Sequence, residues 1–380
     1  MESSVTNLNA TKMRAVLTRG VLDVDVEHSL MPPHSLFGLA ERHNPRRAFL
    51  FVSHVLGKHV PVRPSRMNAA CERLASLLPD NLPGPVLFIG MAETAVGLGA
   101  GVHRAYSAAR PDSMFLVSTR HPMAAQVFAS FKEEHSHART HFVHTPAAPA
   151  LREMMLGARS LVLVDDEAST GKTLINLYRA LITAGLGRVE RLITCVLTDW
   201  SAGAVAAVVG KRAAQVSLSR GTYRFTETCA RAVPALSRSR SRHAPMARWP
   251  IDPANDWGRR GVRGVADTLG QGIQATPGDR ILVVGTGEFV WKPFLLAERL
   301  EKAGAHVHFC STTRSPIVVG HAIAHALSFP DNYGQGIDNF LYNVAPGQFD
   351  RVLICVETHR LAVSSSLISA LNAEVVVDGQ

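Results

Sequence analysis

Cysteine is scarce, and no two cysteines form a C-x-x-C pair: Cys71, Cys195, Cys229, Cys310 and Cys355 stand apart along 380 residues. An odd, scattered set offers neither a disulfide framework nor a structural zinc site and reads as reduced, mostly buried thiols of a cytoplasmic protein. Long hydrophobic runs are missing too. No stretch approaches about 18 consecutive apolar residues, and residues 1–20 lack the apolar core of a signal peptide. Membrane spanning and secretion are therefore not expected. Aromatic residues make up 6% and charged residues 19%, against 46% hydrophobic, which excludes wholesale disorder, collagen and coiled coil. Two nucleotide motifs also fail. A P-loop ending at Gly171-Lys172-Thr173 needs glycine at 166, where Asp166 stands. A dinucleotide fingerprint in the second half needs glycine at 290, where Val290 stands.

The length fits two domains at roughly 150 residues each, with a small accessory region. Lys and Arg total 40 and Asp and Glu 31, a net charge of +9, and most of the excess sits in one place. Between Arg231 and Arg263 there are eight arginines against Asp252 and Asp256. Prolines 234, 245, 250 and 253 break any helical or strand period there. A solvated interdomain linker over 231–265 is the first reading, with a phosphate or nucleic-acid contact as the alternative; nucleic acid is not the expected partner. The linker divides a first domain, 20–230, from a second, 266–380.

Within the first domain, short aliphatic runs at Val86–Ile89, Met114–Val117, Leu161–Val164 and Arg191–Leu197 alternate with helical stretches at Ala95–Ala109 and Thr173–Ala184. Such runs predict a parallel sheet covered on both faces, an α/β Rossmann-like core whose ligands sit beyond the carboxyl ends of the strands. The same grammar returns in a smaller α/β domain, with strands at Ile281–Val284, Val307–Cys310 and Arg351–Val356 and a helix near Lys292–Ala303. Gly90-Met91-Ala92-Glu93 is echoed by Gly285-Thr286-Gly287-Glu288, and Ser118-Thr119-Arg120 by Thr312-Thr313-Arg314. Chance likeness between two βαβ units and an internal repeat explain this equally well. The second half lacks a counterpart of the acidic motif described next.

That motif is Leu161-Val162-Leu163-Val164-Asp165-Asp166-Glu167-Ala168-Ser169-Thr170-Gly171-Lys172-Thr173. A buried strand delivers two adjacent carboxylates, then a small-residue turn opens a helix. Backbone N–H groups at that helix start, with the hydroxyls of Ser169, Thr170 and Thr173 and with Lys172, make a phosphate cradle. Acids beside a phosphate site suit a phosphorylated sugar, whose vicinal hydroxyls they accept. An acidic turn capping a helix is the plain alternative.

The run resembles the 5-phosphoribosyl-1-pyrophosphate (PRPP) signature of type I phosphoribosyltransferases. The resemblance implies that Asp165 and Asp166 hold the ribose hydroxyls. It gives the 5′-phosphate to Ala168, Ser169, Thr170, Gly171, Lys172 and Thr173, and the pyrophosphate to Gly90, Met91, Ala92, Glu93 and Thr94. It implies Mg²⁺ as cofactor, brought with PRPP near Asp165 and Asp166 and without a direct protein site. A loop over Ser118–His144 would close over the substrate. A narrower resemblance rests on Asn44-Pro45-Arg46-Arg47, Phe49–Ser53, Leu56-Gly57-Lys58-His59, the Glu133-Glu134-His135-Ser136-His137 loop and Thr313-Arg314-Ser315-Pro316. These are similar to phosphoribosyltransferase-like proteins of tellurite-resistance-associated gene clusters, whose C-terminal TRSP domain is named for the last motif. That resemblance implies a small-molecule biosynthetic module alongside ATP-grasp ligases and phosphatases.

Glu133, Glu134, His135 and His137 are the candidate catalytic residues, acting on leaving pyrophosphate or incoming nucleophile. With His141 and His144 the two histidines also invite a metal reading, but the spacing is poor for zinc and Arg139 intrudes. A solvated polar loop is the third reading. Trp200, Lys58 and His59 are candidates for the acceptor, the last two within an N-terminal hood spanning 44–59; an interface or core-edge role is the common fate of such a tryptophan. In the second domain Gly285, Glu288 and Arg314 mark a candidate site, with a structural ion pair as the alternative for Arg314. The expected function is Mg²⁺-dependent transfer of phosphoribose from PRPP to a small-molecule acceptor. A PRPP-sensing binding protein is the alternative, and a homodimer is left open.

Overall fold

A computed structural model describes residues 10–44, 47–121, 123–132, 140–228, 251, 256–264 and 267–379. Its contacts divide the chain into two compact units. The first comprises residues 1–37, 69–231 and 257–265, and the second 38–68, 232–256 and 266–380.

The first unit is built on a seven-stranded sheet. Five parallel strands form its centre, in the spatial order Ser113–Val117, Val86–Gly90, Ser160–Ala168, Arg191–Asp199, Ala213–Glu227. Numbered along the chain this order is 2-1-3-4-5, so the sheet reverses direction between Val86–Gly90 and Ser160–Ala168, where a crevice opens at the carboxyl ends. Gly20–Ser29 and Thr11–Leu17 extend the sheet antiparallel. The Val86–Gly90 and Ser113–Val117 strands are buried at every residue, as an aliphatic run covered on both faces must be. The elements read from the sequence recur with ends shifted by one or two residues in most cases, as in the Val96–Ser107 helix, and by four at the end of the Ser160–Ala168 strand.

Helix Val96–Ser107 lies close against the sheet because glycine lets it. A Cβ on Gly99 would come 2.9 Å from the Cα of Gly90 and 2.8 Å from the Phe115 ring. The same helix carries His103, buried between Phe88 and Phe115, with Nε2 3.2 Å from the Ser113 hydroxyl. Burial pushes this imidazole down from 6.5 to about 4. The unfolded chain therefore takes up a proton between those limits that the folded chain refuses. Stability is full above about 6.5 and is lost as the pH falls toward 4, by up to about 3 kcal/mol from this residue alone. Thermal melts across that range should show a steep acid decline that flattens in His103→Gln; equal slopes in both proteins would reject the assignment.

The expected linker is only partly a linker. Its stretches 231–250 and 252–255 and residue 265 lie outside the described residues, but 257–264 belongs to the first unit. Phe115 and Val262 exchange backbone hydrogen bonds of 2.8 and 2.9 Å, and Val117 donates to the Gly258 carbonyl at 3.0 Å. Trp257 lies against Phe115 and Arg259 is buried. Limited trypsin digestion should thus cut among Arg231, Arg238, Arg240, Arg242 and Arg248 and spare Arg259. Early cleavage after Arg259, or inside 86–197, would contradict this division.

The second unit has a four-stranded parallel sheet, in the order His306–Ser311, Arg280–Gly285, Arg351–Val356, Glu374–Val377, and an antiparallel hairpin of Ala326–Pro330 with Asp338–Tyr342. Residues 38–68, which include the expected hood at 44–59, fall in this unit. Val62 exchanges backbone hydrogen bonds with Phe309 at 2.9 and 2.8 Å. Of the cysteines, Cys71, Cys195, Cys310 and Cys355 are free and buried, and burial raises all four thiols. They are inert core residues. No helix among the described residues is long and apolar enough to cross a membrane.

Candidate functional site

Two loops meet at the crevice of the first unit. One follows the Val86–Gly90 strand. Met91 donates its N–H to the Val164 carbonyl at 3.0 Å, and Ala92 donates to the Ser118 hydroxyl at 3.0 Å. The turn over residues 92–95 then leads into the Val96–Ser107 helix, and the Ala92–Glu93 peptide is cis. Met91, Ala92 and Glu93 are buried.

The other loop follows Ser160–Ala168. Its strand continues through Asp165, Asp166 and Glu167, all partly buried, and the Asp165 carboxylate accepts the N–H of Asp166 at 2.9 Å. Gly171 then turns the chain at φ +70° and the thirteen-residue helix Lys172–Ala184 begins. Glycine is required here twice over, by the left-handed φ and because a Cβ would meet Val205 at 3.1 Å. Leu174, Ile175, Leu177 and Leu181 bury one face of that helix, so its N-terminal N–H groups are held at the crevice by core packing. A partly exposed row of acids thus lies beside the start of a long helix. This is the chemistry for hydroxyl groups and an anion on one ligand.

Behind the first loop runs a polar chain that the sequence reading did not assemble. Arg120 Nε donates to His141 Nε2 at 3.1 Å, His141 Nδ1 lies 3.4 Å from the Ser118 hydroxyl, and Arg120 reaches the Glu93 carboxylate at 3.8 Å. An imidazole accepting at Nε2 carries its proton on Nδ1, toward Ser118. The chain ties the loop at 91–93 to the antiparallel hairpin Val127–Lys132 and Thr140–His144. A backbone pair between Thr119 and Phe142 and a hydrogen bond from Asn176 to the Lys132 carbonyl at 3.2 Å hold the hairpin at both ends. Glu133, Glu134, His135 and His137 fall in the segment between these strands, outside the described residues. His144 Nδ1 lies 3.3 Å from the Gln126 carbonyl oxygen. Among the described residues no three metal-binding side chains come together.

Residues 36–222 match a family described as phosphoribosyl transferase, and residues 254–371 match the TRSP domain found C-terminal to it. The chain belongs to this phosphoribosyl transferase family. Solved structures similar to the transferase include adenine phosphoribosyltransferase from Rhodothermus marinus DSM 4252, at 16% identity over 49% of this chain and 94% of that one, with a TM-score of 0.34. Another is orotate phosphoribosyltransferase from Mycobacterium tuberculosis H37Rv in complex with PRPP, at 17% identity over 40% and 73%, with a TM-score of 0.25. No curated protein matches the sequence.

The acceptor candidates of the transferase fall in different units, Trp200 in the first and Lys58 and His59 in the second. The Trp200 backbone N–H donates to the Ala168 carbonyl at 2.8 Å, at the end of the acidic strand, but its ring is buried edge-on to Phe37 and Tyr223. Lys58 and His59 belong to the second unit. The buried Lys58 ammonium donates to the carbonyls of Gly287 and Thr312 at 3.0 and 2.7 Å, and the His59 carbonyl accepts from Asn343 at 2.9 Å. Gly285 ends the Arg280–Gly285 strand of the second unit's parallel sheet, and Glu288 and Arg314 follow strands of that sheet.

Proposed function

We propose that the protein transfers phosphoribose from PRPP to a small-molecule acceptor, displacing pyrophosphate at ribose C1. The observation that carries this reading is the meeting of two loops at the sheet's reversal point: the acids Asp165 and Asp166 with the helix start at Lys172, and the turn at Gly90–Thr94. In this reading the acids accept the ribose hydroxyls. Ala168–Thr173 hold the 5′-phosphate, with Lys172 adding positive charge. The turn Gly90–Thr94 orients the pyrophosphate, steadied from behind by Ser118, Arg120 and His141.

Positioning supplies most of the rate in such a displacement, because the ribosyl centre develops positive charge as pyrophosphate departs, with no covalent help from the protein. Carboxylate oxygens are the donors a hard divalent cation prefers, so Asp165 and Asp166 suit Mg²⁺ carried in with PRPP. When bound, the ion would neutralise charge on the departing pyrophosphate. The segment Glu133–His137 is proposed to exclude water and to move protons at the leaving or attacking group.

A PRPP sensor is the second reading; the charged segment Lys132–His137 favours the enzyme, since a sensor has little use for several proton-transfer groups. The wider proposal includes a cytoplasmic location and a biosynthetic module with ATP-grasp ligases and phosphatases, linked to tellurite resistance. Pyrophosphate release from PRPP and Mg²⁺ tests the activity. Release is expected on adding a metabolite extract; none with any extract fraction, while PRPP still binds, would favour the sensor.

A further inference from the structure

The echo between the two halves extends to the hydrogen bonds. In both units the parallel strands stand in chain order 2-1-3-4, which puts a crevice between the loops after the first and third strands. In both, the first strand ends in glycine, Gly90 or Gly285, and a twelve-residue helix starts six positions on, at Val96 or Trp291. The residue after the second strand donates its N–H to that glycine's carbonyl: Ser118 at 3.0 Å, Thr312 at 2.9 Å. Its hydroxyl accepts the N–H two residues past the glycine: Ala92 at 3.0 Å, Gly287 at 2.9 Å. The next residue, Thr119 or Thr313, makes a two-way backbone pair with Phe142 or Phe340 of an antiparallel hairpin. Its side chain accepts from His121 or Ser315. The hairpins close on Lys132 with Thr140 and on Pro330 with Asp338, each enclosing seven residues. Chance likeness between two βαβ units supplies the strand order, but not this series of matched bonds through a hairpin.

The differences fall at the ligand-facing positions. The Ser160–Ala168 strand pairs Val164 with Gly90. The pairing of Val284 with Ile354 sets Cys355 beside Gly285, so Asp165 and Asp166 correspond to Val356 and Glu357. One acid survives. The phosphate loop does not: a short 3-10 turn, Arg360–Ala362, follows instead, capped by His359. Into the crevice the hairpin loop delivers Tyr333. Its hydroxyl is 2.8 Å from the Glu357 carboxylate and 3.2 Å from the Thr286 carbonyl, and its ring rests against Gly287. Asn332 donates to Thr358 at 3.1 Å. The Asp331 carboxylate collects the N–H groups of Tyr333, Gln335 and Ile337 and so fixes the loop. Tyr333, Asn332, Thr286, Glu288, Glu357 and Thr358 are all buried.

We propose that the second unit is a second core of the transferase type whose crevice is a binding site for a ribose-sized polyol without a phosphate, held shut by Tyr333. The tyrosine hydroxyl meets Glu357 as a sugar hydroxyl would. The missing phosphate loop excludes PRPP. Glu357's part rests on the ribose role proposed for Asp166, so the test must separate the two sites.

The full chain carrying Asp165→Asn and Asp166→Asn, which disables the first site, serves as background for saturation-transfer NMR with D-ribose. Adding Tyr333→Ala should give saturable ribose binding that weakens at least tenfold when Glu357→Gln is also present and that inorganic phosphate does not displace. Tyr333→Phe, which keeps the ring, should bind ribose far more weakly than Tyr333→Ala, as the parent does. No saturable binding in a folded Tyr333→Ala protein, binding indifferent to Glu357→Gln, or displacement by phosphate would each overturn the proposal. Should Tyr333→Ala not fold, hydrogen exchange decides on the chain with Tyr333 intact. Saturating ribose should speed exchange of the Tyr333, Gln335 and Ile337 amides, and unchanged rates overturn it. Failure of PRPP to bind the wild-type chain would count against the first site alone.

Discussion

Changing Asp165 and Asp166 together to asparagine should weaken PRPP binding by about a hundredfold or more while inorganic phosphate binds nearly as before. Asparagine keeps the size of each side chain but removes two negative charges. Charge-assisted hydrogen bonds to hydroxyls contribute about 1.5–3 kcal/mol each, and about 1.4 kcal/mol is tenfold in affinity. The phosphate has other partners. Its expected cradle is the backbone of 168–173 and the start of the Lys172–Ala184 helix, which core packing of Leu174, Leu177 and Leu181 holds in place whether or not the acids are charged. Calorimetric titration of PRPP and of phosphate with Mg²⁺ into both proteins separates a sugar-phosphate site from a general anion site. Unchanged PRPP affinity in a folded variant would remove the phosphoribosyl reading for enzyme and sensor alike.

Replacing Glu133, Glu134, His135 and His137 by alanine should lower turnover by about 10²–10⁴-fold, the range for lost acid–base groups, with a far smaller change in PRPP affinity. The strands on either side are anchored by Thr119, Phe142 and Asn176, so the substitution leaves the hairpin's attachment intact and removes only the groups it carries. An interaction made chiefly in the transition state lowers kcat rather than binding. Equal losses in kcat and affinity would instead assign this segment to ground-state binding, and loss of stoichiometric zinc from the variant would revive a metal role.

What could be read from the sequence was what depends on neighbours along the chain. The aliphatic runs and the helices between them, the pair of acids and the turn at Gly171 all declare themselves within a dozen residues. The alternation Leu22-Asp23-Val24-Asp25-Val26 is equally legible as a strand with one buried face. Other features depend on distant partners. Val62 pairs with Phe309 and Lys58 with the carbonyls of Gly287 and Thr312; nothing near residue 60 announces a partner some 250 positions away. His141 was grouped with its sequence neighbours as a metal candidate, whereas its imidazole is engaged by Ser118 and Arg120. The repeat stayed undecided because its proof lies in hydroxyl-to-amide bonds between loops, and Thr312 shares little with Ser118 except the hydroxyl that both use.

The return of residues 257–264 to the Ser113–Val117 strand has a consequence for biosynthesis. That strand lies at the rim of the large sheet, and its outward N–H and carbonyl groups would otherwise offer a template to any passing strand. During synthesis every residue of the crevice has been made by position 200, yet the rim stays bare until Val262 emerges. A polypeptide stopped near residue 230 would therefore hold the whole crevice and still be prone to edge-to-edge association.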